Sequence, residues 1–170
     1  MQWLRNLKGK VRRNEPLSRH TSFKIGGTCR IWFEPDDVDD LITCLRLSKK
    51  GKIPHFIIGE GTNILIRDGG FHGIVIKLTA PFFKHCGLKN NTLAVGAGIR
   101  IRNIIRSLAG KNVSGYEFLA GIPGTVGGAL VMNAGTTFHG KQCAMSDIVR
   151  TIQVLDRRGC VRNLGRKGIR

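Results

Sequence analysis

Apolar positions change their period several times along the chain, and each change predicts an element. Trp3, Leu4, Leu7 and Val11 recur at near-helical spacing among Arg5, Lys8, Lys10, Arg12 and Arg13, which predicts a basic helical segment over residues 1–16. Such a helix can lie on a membrane surface or pack on its own domain, and the second is the commoner arrangement. CRIWFEP then reads as a strand whose end is marked by Pro35. DDVDDLITCLRLSKKG returns to the helical period: acids fill its first turn, Val38, Leu41, Ile42 and Leu45 form the apolar face, and Lys49, Lys50 and Gly51 close it. IPHFIIG is a continuous apolar run, the pattern of a buried strand. ILIRD and FHGIVIKL also read as β, with the DGG and FHG glycines as turns between strands. LAVGAG predicts a further strand, and IRIRNIIRSLAGKN an amphipathic helix carrying Ile101, Ile104, Ile105 and Leu108. TIQVLDRRGCVRNL predicts a hairpin turning at residues 157–159.

Strand–turn–strand units outnumber strand–helix–strand units, so the pattern predicts an α+β fold. Two small lobes are expected, at about 17–80 and 81–170, behind the segment 1–16. The chain has 170 residues and 41% apolar content, enough for one ordinary domain or two small lobes sharing a core. No run approaches the roughly 18 apolar residues of a membrane span, and MQWLRNLKGKVRR is too polar for a secretion signal. The expected address is the cytoplasm, with no membrane partner.

Charge adds a question. The formal net charge is +17, with seven Lys/Arg against one acid over residues 1–24 and eight against two over residues 141–170. Basic ends bind polyanions without sequence preference through counterion release. An aromatic stacking platform is lacking, so no specific nucleic-acid partner is expected. A cofactor and a substrate that both carry pyrophosphate suit the same charge. Cys29, Cys44, Cys86, Cys143 and Cys160 are scattered, with no CxxC pair and no histidine at zinc-ligand spacing, so no metal is expected and buried thiols are the simplest reading. His20, His55, His72, His85 and His139 are likewise dispersed.

Two glycine-rich stretches carry the candidate chemistry. GEGTN follows the IPHFIIG strand, where phosphate-binding turns occur, but it lacks the third glycine of a dinucleotide fingerprint and the Gly-Lys-Ser/Thr of a Walker loop. What remains is a loop whose successive backbone N–H groups can form an anion nest, with Thr62 and Asn63 as side-chain donors; a plain tight turn would use the same residues. In LAGIPGTVGGALVMNAG, Gly121, Gly124, Gly127 and Gly128 bare the backbone and Pro123 suits a helix start. Each glycine costs a helix roughly 1 kcal/mol relative to alanine, so a compensating gain is needed. Close packing on a neighbouring strand is one gain, and approach of a flat, charged ligand to bare N–H groups at the helix start is the other. No metalloprotease helix, nucleophile elbow or recognisable carboxylate pair is present.

Taken in order, PLSRHTSFKIGG, IIGEGTNILIRDGGFHGIVIKL, VGAG and GYEFLAGIPGTVGGALVMNAG resemble the bacterial UDP-N-acetylenolpyruvoylglucosamine reductase family, also called UDP-N-acetylmuramate dehydrogenase, from about Leu17 onward. The resemblance implies a two-lobed FAD-binding domain of the vanillyl-alcohol-oxidase (PCMH) type, acting in the cytoplasmic route to peptidoglycan. It implies FAD as cofactor, NADPH as hydride donor and a UDP-sugar carrying an enolpyruvyl ether as substrate. By matching position, Gly59, Glu60, Gly61, Thr62 and Asn63 would cradle the FAD pyrophosphate, Thr62 standing where the family has serine. Gly121, Ile122, Pro123, Gly124, Thr125, Gly127 and Gly128 would run along the other side of the flavin, with Asn133 to Gly135 close by. Family members commonly read NAGAYG where this chain reads NAGTTFHG. They also continue into a tyrosine-arginine pair and a substrate domain supplying a serine and a glutamate. This chain stops before them at NLGRKGIR, so the resemblance places no catalytic residue in it and implies an inactive truncated form of the reductase.

Overall fold

The computed structural model describes residues 2–90, 92–111, 113–156 and 159–168. The first lobe is built on a four-stranded sheet. After a 3₁₀ turn at Gln2–Asn6, β1 (Lys10–Pro16) runs antiparallel to β2 (Thr28–Glu34), with Val11 opposite Phe33. The helix expected over residues 1–16 is therefore confined to its first turn. Trp3, Leu4, Leu7 and Val11 do converge on one apolar cluster, but Val11 reaches it from a strand. Asp40 turns the chain between them by accepting from the N–H groups of Lys8 (3.0 Å) and Gly9 (2.8 Å). Partnership with the edge of β2 outweighs the local helical spacing, as tertiary pairing often does.

Helix α1 (Val38–Lys50) starts at Asp37, whose side chain accepts from the Asp40 N–H at 2.8 Å, and buries Leu41, Cys44 and Ser48. Strands β3 (His55–Ile58) and β4 (Phe71–Lys77) complete the sheet in the order β1-β2-β4-β3, and β4 is parallel to both neighbours. Parallel neighbours need a crossover rather than a hairpin. For that reason ILIRD is not the strand its composition suggests: residues 59–70 travel from the end of β3 back to the start of β4 without regular structure. Both faces of the sheet are covered, which explains the unbroken IWF and IVI runs. Ile31, Phe33, Ile74 and Ile76 face α1, while Trp32, Val75, Ile58 and Leu17 pack on the opposite side. A register slip between Cys29 and Ile31 lets Cys29 share that second face with Trp32, three residues away.

The second lobe is assembled from hairpins and short helices. β5 (Cys86–Lys89) pairs with β6 (Thr92–Val95), and α2 (Ile101–Leu108) follows. A 3₁₀ turn at Glu117–Gly121 leads to α3 (Val126–Val131), then to the hairpin of β7 (Gly135–Phe138) and β8 (Lys141–Ala144). The short α4 (Met145–Ile148) precedes the predicted last hairpin, β9 (Thr151–Leu155) with β10 (Val161–Gly165). Of its expected turn, Arg157 and Arg158 lie outside the described residues. Ile101, Ile104 and Leu108 of α2 pack with Phe118, Leu119, Ile122, Val126 and Met145 into one core, separate from the two clusters of the first lobe. The mixed, mainly antiparallel arrangement bears out the α+β expectation. Among the described residues no helix is long and apolar enough to cross a membrane.

Candidate functional site

Where β3 ends, the chain leaves the sheet as Gly59–Asn63 at the junction of the two lobes. A cleft of about 2600 Å³ opens there, bounded by α1, β3, residues 59–64, the 96–101 segment, α3 and the β9–β10 hairpin. Ordinary ligand pockets hold roughly 300–1,000 Å³, so this one has room for a large molecule. Arg46, Lys49, Lys50, Lys77, Lys84, Arg100 and Arg150 line it, against the carboxylates Glu60 and Asp156.

The loop is clamped from behind. Gly61 has φ +65°, and a Cβ there would overlap the His20 carbonyl oxygen and sit 2.8 Å from the Cα of Thr21. Its carbonyl accepts from the N–H (3.0 Å) and hydroxyl (3.2 Å) of Ser22. His20 is itself fixed: its Nε2 lies 2.8 Å from Glu15 Oε1, and its ring stacks on the buried Trp32 with centroids 3.7 Å apart. The loop's other side is open. Among the described residues, the N–H groups of Glu60, Gly61, Thr62 and Asn63 have no acceptor, and the side chains of Thr62 and Asn63 are exposed. Successive unpaired N–H groups are the donor set of an anion nest.

The second glycine stretch meets the first edge to edge. A Cβ on Gly59 would sit 2.6 Å from Thr125 Oγ1, and one on Gly124, at φ +108°, would sit 3.2 Å from Thr62 Oγ1. The two stretches therefore form one continuous strip along the cleft rather than two separated walls. The helix start is not a free anion site. Val126 N–H donates to Ile99 O (3.0 Å), Gly127 N–H to Ala97 O (2.8 Å) and Gly128 N–H to Thr125 Oγ1 (3.3 Å). The helix begins after the cap Thr125, two residues beyond Pro123. Packing accounts for Gly127, whose Cβ would be 3.1 Å from the Cβ and carbonyl oxygen of Ala97. Ile122 and Thr125 are buried parts of the lobe, whereas Gly121, Pro123 and Gly128 present bare surface to the cleft.

Fourteen of the fifteen residues that the resemblance places at the cofactor thus line one cleft, Ala134 and Gly135 among them; Asn133 does not. Its Oδ1 accepts from Ser146 N–H at 3.0 Å, tying the end of α3 to α4, and NAGTTFHG folds into the β7–β8 hairpin, turning at His139 and Gly140. Glu60 turns its carboxylate away from the role of phosphate cradle and pairs with Arg100 Nη2 at 2.7 Å and Lys77 Nζ at 3.6 Å. Neither cation stood out in the sequence. The signal that could have found them is Glu60 itself, since an acid inside a candidate anion-binding loop calls for neighbouring positive charge. The unpaired donors, the cations and the size of the cleft fit a dinucleotide with a pyrophosphate bridge.

The chain is similar to several known proteins. It is 41% identical over 149 residues to the UDP-N-acetylenolpyruvoylglucosamine reductase of Alkaliphilus oremlandii, a match covering 88% of this chain and 47% of that protein. It superposes on the UDP-N-acetylenolpyruvylglucosamine reductase of Thermus caldophilus with a TM-score of 0.73 and 26% identity, over 95% of this chain and 53% of that one. The 6-hydroxy-D-nicotine oxidase of Arthrobacter nicotinovorans shares the fold, with a TM-score of 0.69 at 15% identity over 95% of this chain and 36% of its own. The chain spans about half the length of the curated relatives it matches. Residues 30–165, from within β2 to the end of β10, match the FAD binding domain family, and the chain belongs to it.

Proposed function

We propose that this chain is the FAD-holding part of a UDP-N-acetylenolpyruvoylglucosamine reductase, working with NADPH in the cytoplasmic route to peptidoglycan. The observation that carries the reading is the strip along the cleft, where four consecutive N–H groups from Glu60 to Asn63, unpaired among the described residues, adjoin the bare surface of Gly121, Pro123 and Gly128. The first group takes the pyrophosphate, with Thr62 and Asn63 adding side-chain donors. The second gives a flat ring system close access to main chain. Gly61 is pinned on His20 and Thr21, so these donors are oriented before any ligand arrives, which reduces the ordering cost of binding. Leu119, Ile122, Val126 and Ala129 give part of the cleft an apolar wall. Bound FAD would supply the redox chemistry, taking hydride from NADPH and passing it to the enolpyruvyl ether of the UDP-sugar. This chain's own residues bind and orient, and none of them is assigned a proton-transfer role.

The reading is tested in two stages. The purified chain mixed with FAD should retain the yellow cofactor through gel filtration, and ADP should compete for it. Completed with the remaining half of a relative, the chain should oxidise NADPH only when the enolpyruvyl UDP-sugar is present. A chain that stays colourless and binds neither FAD nor ADP would sink the proposal.

A further inference from the structure

Arg100 is the residue at which the two glycine stretches are joined. Its main chain forms a β-bridge with Thr125, and the next N–H, that of Ile101, donates to Gly124 O at 3.0 Å. Its side chain crosses to the other stretch, where Nη2 lies 2.7 Å from Glu60 Oε2. Lys77, at the end of β4, holds the second oxygen of the same carboxylate, with Nζ 3.6 Å from Oε1. Glu60 sits between the pinned Gly61 and the end of β3, so this one carboxylate connects the sheet of the first lobe to the PGT turn of the second.

We infer that Arg100 is a positioning residue for the dinucleotide: through Glu60 it holds the Gly59–Asn63 loop in register with the Gly121–Gly128 stretch, so that one ligand can use both. The inference rests on the FAD reading above. An ion pair with the Arg100 side chain 43% exposed adds little to global stability. Its effect should appear instead in ligand binding, because both loops must keep their relative position for a rigid cofactor to touch them at once. A positioning role differs in sign from simple charge masking. Were Arg100 only shielding the ligand's phosphates from Glu60, removing Glu60 would leave two free cations and tighten binding. With a positioning role, removing either partner loosens the loop and weakens it.

The experiment is a double-mutant cycle on the chain, read by titration with FAD and separately with ADP. Glu60→Gln and Arg100→Gln should each weaken FAD by about three- to fivefold, the scale of a partly exposed pair. The double variant should be no weaker than Glu60→Gln alone, since the same connection is lost once. The exchanged pair, Glu60→Arg with Arg100→Glu, should recover binding relative to Arg100→Glu alone. Thermal unfolding without ligand should stay close to that of the parent chain in all five variants. Tighter binding by Glu60→Gln, strictly additive losses, or no change in either single variant would each overturn the inference. Failure of the parent chain to bind FAD and ADP would instead overturn the FAD reading, so the two are told apart.

Discussion

Replacing Gly61 by alanine tests the clamped loop most directly. The new Cβ would meet the carbonyl oxygen of His20 and the Cα of Thr21, both main chain, at a φ of +65°. The left-handed backbone costs an L-residue roughly 1–2 kcal/mol. Displacing close-packed main chain adds roughly 1–3 kcal/mol, and neither His20 nor Thr21 can yield freely. His20 is held by Glu15 and stacked on Trp32, and Thr21 is buried with its hydroxyl donated to Ile25 O at 3.0 Å. The total, about 2–5 kcal/mol, lowers the melting temperature of a chain this long by about 5–15 °C. Lifting the loop also moves the N–H groups of Glu60–Asn63, so FAD binding should weaken in the same variant. Gly69→Ala is the matched control in the same crossover: a Cβ there meets nothing within 4 Å and its φ is not positive. That variant should be neutral or stabilised by a few tenths of a kcal/mol, through the lower entropy of its unfolded chain. Thermal unfolding of both variants without ligand, followed by FAD titration, decides the matter. A Gly61→Ala chain that melts with the parent and binds FAD equally well would refute the packing of this loop on His20.

Gly128→Ala should separate stability from binding. The position is helical and exposed, and the nearest atom to a Cβ is Thr125 Oγ1 at 3.4 Å, so the unliganded chain should gain up to about 1 kcal/mol while FAD binds more weakly; a melt and a titration on one sample check both signs. Burial pushes the Cys29 thiol up to about 11 and the Cys44 thiol up to about 12. A disulfide-forming dye at mildly alkaline pH should therefore modify the exposed Cys86 and Cys160 well before these two. Unfolded thiols ionise near their ordinary value of 9.0, below the folded values, so the unfolded chain releases protons that the folded chain keeps. Stability from these two groups is complete below that pH and lost as pH rises toward 11 and 12. Urea midpoints measured across this range should fall less steeply in a Cys29→Ala/Cys44→Ala chain than in the parent.

Local physics made much of the chain legible from its sequence. The acids of DDVDDL and the helical period of Val38, Leu41, Ile42 and Leu45 predict α1, because capping and amphipathic burial act within a few residues, although its most buried line runs through Leu41, Cys44 and Ser48. The alternation in TIQVL and VRNL fixes the last hairpin for the same reason, and the order of glycine motifs marked the residues of the cleft. What the sequence left open depends on partners far away along the chain. Val11 became part of a strand because β2 offered an edge, and ILIRD became a crossover because β3 and β4 lie parallel. Of the two gains that could explain the glycines at the start of α3, packing and ligand approach, the structure favours packing there, because the carbonyls of Ala97 and Ile99 take its N–H groups, while among the described residues the donors on Glu60–Asn63 stay open. Asn133 was drawn to Ser146, and Glu60 to Arg100 and Lys77. Composition and spacing thus determined which residues are bare or charged. Which of them stay unpaired and face the cleft was decided only by tertiary structure, because hydrogen bonds and ion pairs depend on distances that folding creates.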